Sequence, residues 1–335
     1  MSGGSSGSTS RSDSKAKAEV RTDPSAAGLG ERAAEAGQDF SARLATLVGR
    51  VTLRLGGHPL RHWLGTFHRA DSRREGGHAF YVTTDDGIRL HAWYFPAVPP
   101  SRADAASQAR LPIVMLHGWL EIKEFHFNRA RQLSRRGHDV ILFDHRGHGR
   151  SDAAPASFGV RERCDLTEVI DEAQKRGLVG ERVITMGFSM GAATCLQQAA
   201  SDRRVAAVVA FAPFVDLRQA IKSFRDRLAR RVPDQWLLPG FERATEEAGY
   251  RLDDVSTLEA IEHLSQPVLL IEGDRDHNLP PATHVEPLAA AKRQGRLERF
   301  VVEGATHLTL CRQLWPGLDE TVERFCAEVS DGSSH

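Results

Sequence analysis

Residues 185–194 read TMGFSMGAAT, so that Ser189 stands between Gly187 and Gly191 in the spacing G-x-S-x-G. Gly and Ser are common, and the surroundings decide whether such a serine does chemistry. RVITM before it is β-branched and apolar, and MGAATCLQQAA after it is a good helix former. Ser189 is therefore expected on a strand-to-helix turn, with Gly187 and Gly191 removing Cβ atoms where the backbone crowds. The amino end of that helix directs free N–H groups and a positive dipole end at the serine, which suits an oxyanion. A serine hydroxyl becomes a nucleophile only with a base to take its proton. Among fifteen histidines, His307 in VVEGATHLTL follows the last expected strand and a Gly-containing loop, a place from which it can reach back to Ser189. His284 is expected within a helix, and His58, His62, His68 and His78 precede the main sheet. The histidine in turn needs a carboxylate to set its tautomer. Asp274 and Asp276 in GDRDHNLP both qualify, and so does Asp216 after FAPF. A second oxyanion donor is expected from VMLHGWL, where Gly118 lets the backbone aim the Trp119 N–H at the site beside that of Met190. His117 is read as a loop-packing residue.

These groups need a scaffold, and the chain is long enough for one: 335 residues, 41% apolar, with 44 basic and 44 acidic side chains. The charge balance gives no reason to expect nucleic acid as a partner. No apolar run approaches the ~20 residues of a membrane span. The start lacks a secretory h-region, and four cysteines without metal-type spacing fit a cytoplasmic protein with reduced thiols. Residues 1–37 are Gly-, Ser- and Ala-rich and read as a disordered tail. A helical extension is expected over 38–75, with Phe40, Leu44, Leu47, Val48, Val51 and Leu55 at helical spacing, Arg43, Arg50 and Arg54 among the polar positions, and a short second helix at 62–68. The first helix packs on the core by this reading, or else touches a membrane surface or covers a substrate entrance.

From residue 76 the order changes. Ala79–Thr83 and Ile88–Phe95 flank Asp86-Gly87 as an antiparallel hairpin. Strands follow at Ile113–Leu116, Asp139–Phe143, Arg182–Met186, Val205–Phe211, Val268–Ile271 and Glu298–Val302, with helices at Glu124–Arg136, Arg161–Arg176, Met190–Ser201 and Pro281–Gln294. That alternation predicts an α/β fold with a mostly parallel sheet covered on both faces. About fifty residues between the strands at 205 and 268 are too many for a simple crossover and predict a small helical lid, about 216–262, over the strand ends. Phe224, Leu228, Trp236 and Leu237 are its pocket candidates. Arg218, Lys222, Arg225, Arg227, Arg230 and Arg231 make it basic. FDHRGHGRSD lacks the third glycine of a dinucleotide loop and reads as support beside the pocket, with Asp144 and Arg146 tying the loop.

HGW at 117–119, DHRGHGRSD at 144–152, GFSMG at 187–191, GDRDHNLP at 273–280 and GATH at 304–307 together resemble the α/β-hydrolase superfamily over roughly 80–329. The opening TTDDGIRLHAWYFP is similar to bacterial hydrolases related to the prolyl-oligopeptidase catalytic domain and serine aminopeptidases. The resemblance implies that Asp276, which falls on the pattern G-x-x-D-x-x-hydrophobic-P, is the triad acid, and that the Trp119 and Met190 amides form the oxyanion hole. It implies a serine esterase without metal or cofactor, acting on a small-molecule ester with Ser189, Asp276 and His307, and losing activity as His307 becomes protonated. A serine peptidase uses identical chemistry, and Glu242, Glu246 and Glu247 could hold a peptide amino terminus. Thioester hydrolysis and a non-catalytic binder on the same fold are the other readings. Residues 38–55 lie outside the family core and leave membrane contact and oligomeric state open.

Overall fold

The computed structural model describes residues 43–54, 76–98, 110–228 and 230–332, with the side chains of Leu228, Trp236, Cys311 and Arg312 left aside. The expectations for 1–37 and 62–68 lie outside the described residues, as do Phe40 and Leu55 and the rest of the 38–75 extension beyond 43–54. A helix over 43–54 (α1) comes first. The hairpin β1 (His78–Thr83) and β2 (Arg89–Phe95) follows, then β3 (Ile113–Leu116), α2 (Phe127–Arg135), β4 (Val140–Phe143), α3 (Glu162–Lys175) and β5 (Val183–Phe188). After the turn come α4 (Met190–Ala199), β6 (Val205–Phe211), α5 (Leu217–Leu228), α6 (Asp234–Glu247), α7 (Thr257–Glu262) and β7 (Val268–Gly273). The chain closes with α8 (Val285–Ala291), β8 (Leu297–Val302), α9 (His307–Arg312) and α10 (Leu318–Ser330).

The strands form one eight-stranded sheet in the order β1-β2-β4-β3-β5-β6-β7-β8. β1 and β2 pair antiparallel, β2 joins β4 antiparallel, and the pairings from β4 to β8 are parallel. Alternation along β3 shows how both faces are filled. Val114 and Leu116 join a core with Leu166, Val169 and Ile170 of α3 and Leu196 of α4. Ile113 and Met115 point the other way, against Phe127 and Leu133 of α2 and Val322 and Phe325 of α10. Strands buried on both faces must be largely apolar, and β3, β4 and β6 are so throughout, while β5 and β7 each bury one polar residue, Thr185 and Glu272.

A third apolar cluster lies between the sheet and the helices inserted after β6. It joins Met190, Phe158 and Phe214 to Ile221 of α5, Phe241 of α6 and Leu53 of α1. The insertion holds two substantial helices, and α6 continues through Pro239. The expected stripe of α1 is not its packed face. Leu44, Leu47, Val48 and Val51 are exposed, while Ala45, Thr46 and Leu53 are buried. The reason is close approach: an added Cβ on Gly49 would stand 2.8 Å from the Ala244 Cβ, and one on Gly240 2.3 Å from the Ala45 Cβ. Small residues let the two backbones meet, so large ones are turned outward. Among the described residues no helix is long and apolar enough to cross a membrane.

Candidate active site

Ser189 sits between β5 and α4 at φ 51°, ψ −112°. Its own N–H donates to the Phe211 carbonyl at 2.8 Å, which anchors the turn to β6. The turn needs both glycines. A Cβ on Gly187 would stand 2.2 Å from the Gly191 carbonyl oxygen, and one on Gly191 2.6 Å from that of Leu116.

His307 opens α9, whose amino end is capped by the Thr306 side chain. Asp276 follows β7 in a turn whose Leu279 and Asn278 N–H groups donate to its Oδ1 at 2.8 and 2.9 Å. The two loops approach because Gly273 has no Cβ; one there would lie 2.4 Å from the Ala305 carbonyl oxygen. The Arg275 N–H donates to that same oxygen at 3.0 Å. His307 Nδ1 lies 2.6 Å from Asp276 Oδ2, and His307 Nε2 lies 3.0 Å from Ser189 Oγ. A carboxylate only accepts, so Nδ1–H donates to Asp276 and Nε2 is left bare to accept the serine proton. Asp276 and His307 are both buried.

The other two carboxylates are occupied elsewhere. Asp274 Oδ1 accepts the Gly304 N–H at 2.6 Å and ties down the loop that carries His307. Asp216 Oδ1 accepts the Gln219 N–H at 2.6 Å in the first turn of α5. His284 precedes α8 rather than lying within a helix. Its Nδ1 takes the Val215 N–H at 3.4 Å, so Nε2–H donates to Ser223 Oγ at 2.9 Å and does not activate that hydroxyl.

Gly118 lies against the nucleophile turn; a Cβ there would be 3.4 Å from the Phe188 carbonyl oxygen. Among the described residues, neither the Trp119 N–H nor the Met190 N–H donates a hydrogen bond. Backbone amides without an internal acceptor can receive a developing oxyanion where they face a serine hydroxyl. The Trp119 ring packs toward Phe158 at 6.1 Å. Phe224 and Leu237 lie partly buried against the same apolar cluster, and the Leu228 and Trp236 side chains lie outside the description.

Beneath the β3 and β4 loops lies a polar network that sequence reading identified only in part. His117 Nδ1–H donates to the Gly118 carbonyl at 2.7 Å, and its Nε2 accepts the His145 N–H at 3.0 Å. Burial, ahead of repulsion from neighbouring histidines, pushes His117 well below the usual imidazole range and His145 to about 4. Lys123 Nζ and Asp144 Oδ2 form a wholly buried pair at 2.6 Å. Burial pushes the Asp144 carboxyl up, but Lys123 and further bonds outweigh it and hold it well below its usual range. Arg146 grips Asp165 and Asp86 and ties the loop to α3 and the hairpin. Glu162 accepts from the Ser157 and Gly159 N–H groups, both at 2.8 Å, and fixes the loop of Phe158. Glu121, three residues after Gly118, accepts the Gly118 N–H at 2.9 Å. The acid's closeness to HGW was the available signal. Among the described residues no group of three or more His, Cys, Asp or Glu is placed to hold a metal ion.

Known proteins share this framework. The protein YqkD of Bacillus subtilis is 30% identical over 204 residues, 59% of this chain and 65% of that protein, so the chain spans just under two thirds of that relative's length. The structure of the Pyrococcus furiosus esterase Pf2001 covers 79% of this chain and 95% of its own, with a TM-score of 0.59 at 20% identity. A puromycin-hydrolyzing peptidase of Mycobacterium tuberculosis covers 77% of this chain and 39% of its own, with a TM-score of 0.56 at 23% identity. At these identities the structural likeness is one of fold. The sequence model described as the Alpha/beta hydrolase family matches residues 113–326, well over half of the chain. With the eight-stranded, mostly parallel sheet already in place, this match identifies the chain as a member of the alpha/beta hydrolase family.

Proposed function

We propose that the protein is a serine hydrolase that cleaves a carboxylic ester through an acyl-enzyme intermediate. The hydrogen-bonded series Ser189 Oγ, His307 Nε2 and Nδ1, Asp276 Oδ2 is the observation that supports it. Ser189 Oγ attacks the ester carbonyl as His307 takes its proton, and Asp276 stabilises the resulting imidazolium. The Trp119 and Met190 amides receive the oxyanion. His307 then protonates the departing alcohol, and a water molecule activated by the same imidazole releases the acid. Trp119, Phe158, Phe214, Phe224 and Leu237 are the side chains that receive the acyl group, an apolar set.

The surroundings favour an ester over a peptide with a free amino terminus. Glu242 is paired with Arg218 at 2.7 Å and Glu247 with Arg50 at 2.5 Å, so two of the three candidate glutamates are already engaged, and the third, Glu246, is exposed to solvent. The likeness to a peptidase fold keeps amide substrates in the test. Purified wild type and Ser189→Ala are assayed on p-nitrophenyl esters from acetyl to palmitoyl. The expected result is turnover by the wild type alone, with a chain-length optimum that sizes the pocket. A wild type that hydrolyses peptide anilides or thioesters but no oxygen ester overturns the ester assignment.

A further inference from the structure

We propose that Glu121 is a positioning residue of the oxyanion site, holding the peptide unit between Gly118 and Trp119 so that the Trp119 N–H faces the serine. The inference rests on the serine-hydrolase reading. There is no cis bond among the described residues, so the Trp119 N–H points opposite to the Gly118 C=O. Whatever holds that carbonyl therefore aims the amide. The Gly118 carbonyl accepts from the Glu121 N–H at 3.2 Å and from His117 Nδ1 at 2.7 Å. On the other side of Gly118, its N–H donates to Glu121 Oε2 at 2.9 Å. Glu121 thus grips Gly118 by both polar groups, once through its backbone and once through its side chain.

This turn does not hold itself. Leu120 has φ 61°, a left-handed conformation that a branched side chain disfavours. Its N–H lies 3.4 Å from His148 Nε2, a long contact. The Glu121 carboxylate is itself held: His126 Nε2–H donates to the same Oε2 at 3.1 Å. The His126 ring stacks on Phe188 at 4.0 Å and 18°. Phe188 directly precedes Ser189 and stacks in turn on Phe211, whose carbonyl anchors the serine N–H. One buried carboxylate therefore links the turn of one oxyanion donor to the turn of the nucleophile. Burial pushes the Glu121 carboxyl up, but His126 and the Gly118 amide outweigh it and hold it below the usual carboxylate range, so it accepts at neutral pH.

The test compares Glu121→Gln, Glu121→Asp and Glu121→Ala with the wild type on the preferred p-nitrophenyl ester. The readouts are kcat, KM, Tm and the affinity of a trifluoromethyl ketone of the same acyl chain, whose oxyanion adduct occupies the hole. Asp is one methylene shorter and cannot span Gly118 and His126, whereas Gln keeps both the reach and an acceptor. Expected are kcat losses of about 10- to 100-fold in the Asp and Ala variants, matched by the loss of ketone affinity. KM stays within about threefold, and the Gln variant returns to within about fivefold of wild-type kcat. Wild-type kcat and ketone affinity in the Asp variant overturn the inference, even where the Ala variant fails to fold. Losses that follow Tm while ketone affinity stays constant overturn it too. A wild type without Ser189-dependent turnover ends the serine-hydrolase reading instead, and the two failures are thereby distinct.

Discussion

Ser189 occupies a backbone conformation that costs a non-glycine residue about 1–3 kcal/mol and that the surrounding turn must impose. The Phe211 carbonyl and the two flanking glycines impose it, and the hydroxyl lies 3.0 Å from His307 Nε2. At this scale the carboxylate assignment can be tested. Asp276→Asn preserves size but offers an amide N–H where the imidazole N–H must donate, so the bare imidazole nitrogen turns away from its task. A kcat loss of about 10³- to 10⁴-fold with little change in KM or Tm is expected from steady-state kinetics and thermal melts. A variant within tenfold of wild type would release Asp276 from the role and return attention to Asp274.

Among the elements, α1 docks through a few specific approaches. It meets α6 through Gly49 and Gly240, the Arg50 guanidinium lies 2.5 Å from Glu247, and the Leu53 carbonyl accepts the Ala156 N–H at 3.0 Å. Leu53 thereby touches the loop of Phe158 and the apolar cluster beside Ser189. Gly240→Val places a Cβ into the Ala45 backbone, and overpacking of this kind costs about 1–3 kcal/mol. The expected result is faster proteolysis within 43–54 and a lowered Tm. Arg50→Ala, at a half-exposed pair, leaves both nearly unchanged. Equal protease resistance of Gly240→Val and wild type counts against this docking. Two of the basic side chains in the insertion after β6 are engaged in ion pairs: Arg218 lies 3.0 Å from Asp253 and Arg225 lies 2.9 Å from Asp234.

Across the whole molecule, buried neutral histidines make stability fall with acid. Burial pushes His284 and His145 down to about 4, and lowers His91, His117 and His148 as well. A histidine with a depressed folded value binds more protons unfolded than folded between about pH 4 and 6.5, so stability rises with pH across that window. It is fully present above about 6.5 and lost as pH falls toward 4. His284→Gln keeps a polar partner for Ser223 and removes one such group. Its unfolding free energy, from urea titrations at pH 4.5, 5.5 and 7, is expected to fall less steeply with acid than that of the wild type. Parallel slopes contradict the assignment.

Much of this architecture was legible in the chain. Strands buried on both faces are nearly continuous apolar runs, and β3, β5, β6 and β7 read as such because a parallel sheet leaves no polar face. The spacing of Ser189, the 274–276 loop and His307 needed only local pattern and chain order. Less was legible at the lid and the end of the chain. Pro239 obscures α6, and no expectation covers α10 although Leu318, Val322, Phe325 and Val329 recur at helical spacing. Between Asp216, Asp274 and Asp276 local spacing is neutral, since each follows a strand; the folded loops separate them by bringing only Asp276 to His307. The outward face of α1 and the grip of Glu121 on Gly118 are likewise decided in three dimensions. A backbone approach needs two glycines almost two hundred positions apart, and a carboxylate chooses its donors by where a turn leaves them. Periodicity records which residues seek burial, and tertiary packing selects which of them obtain it and which polar groups meet.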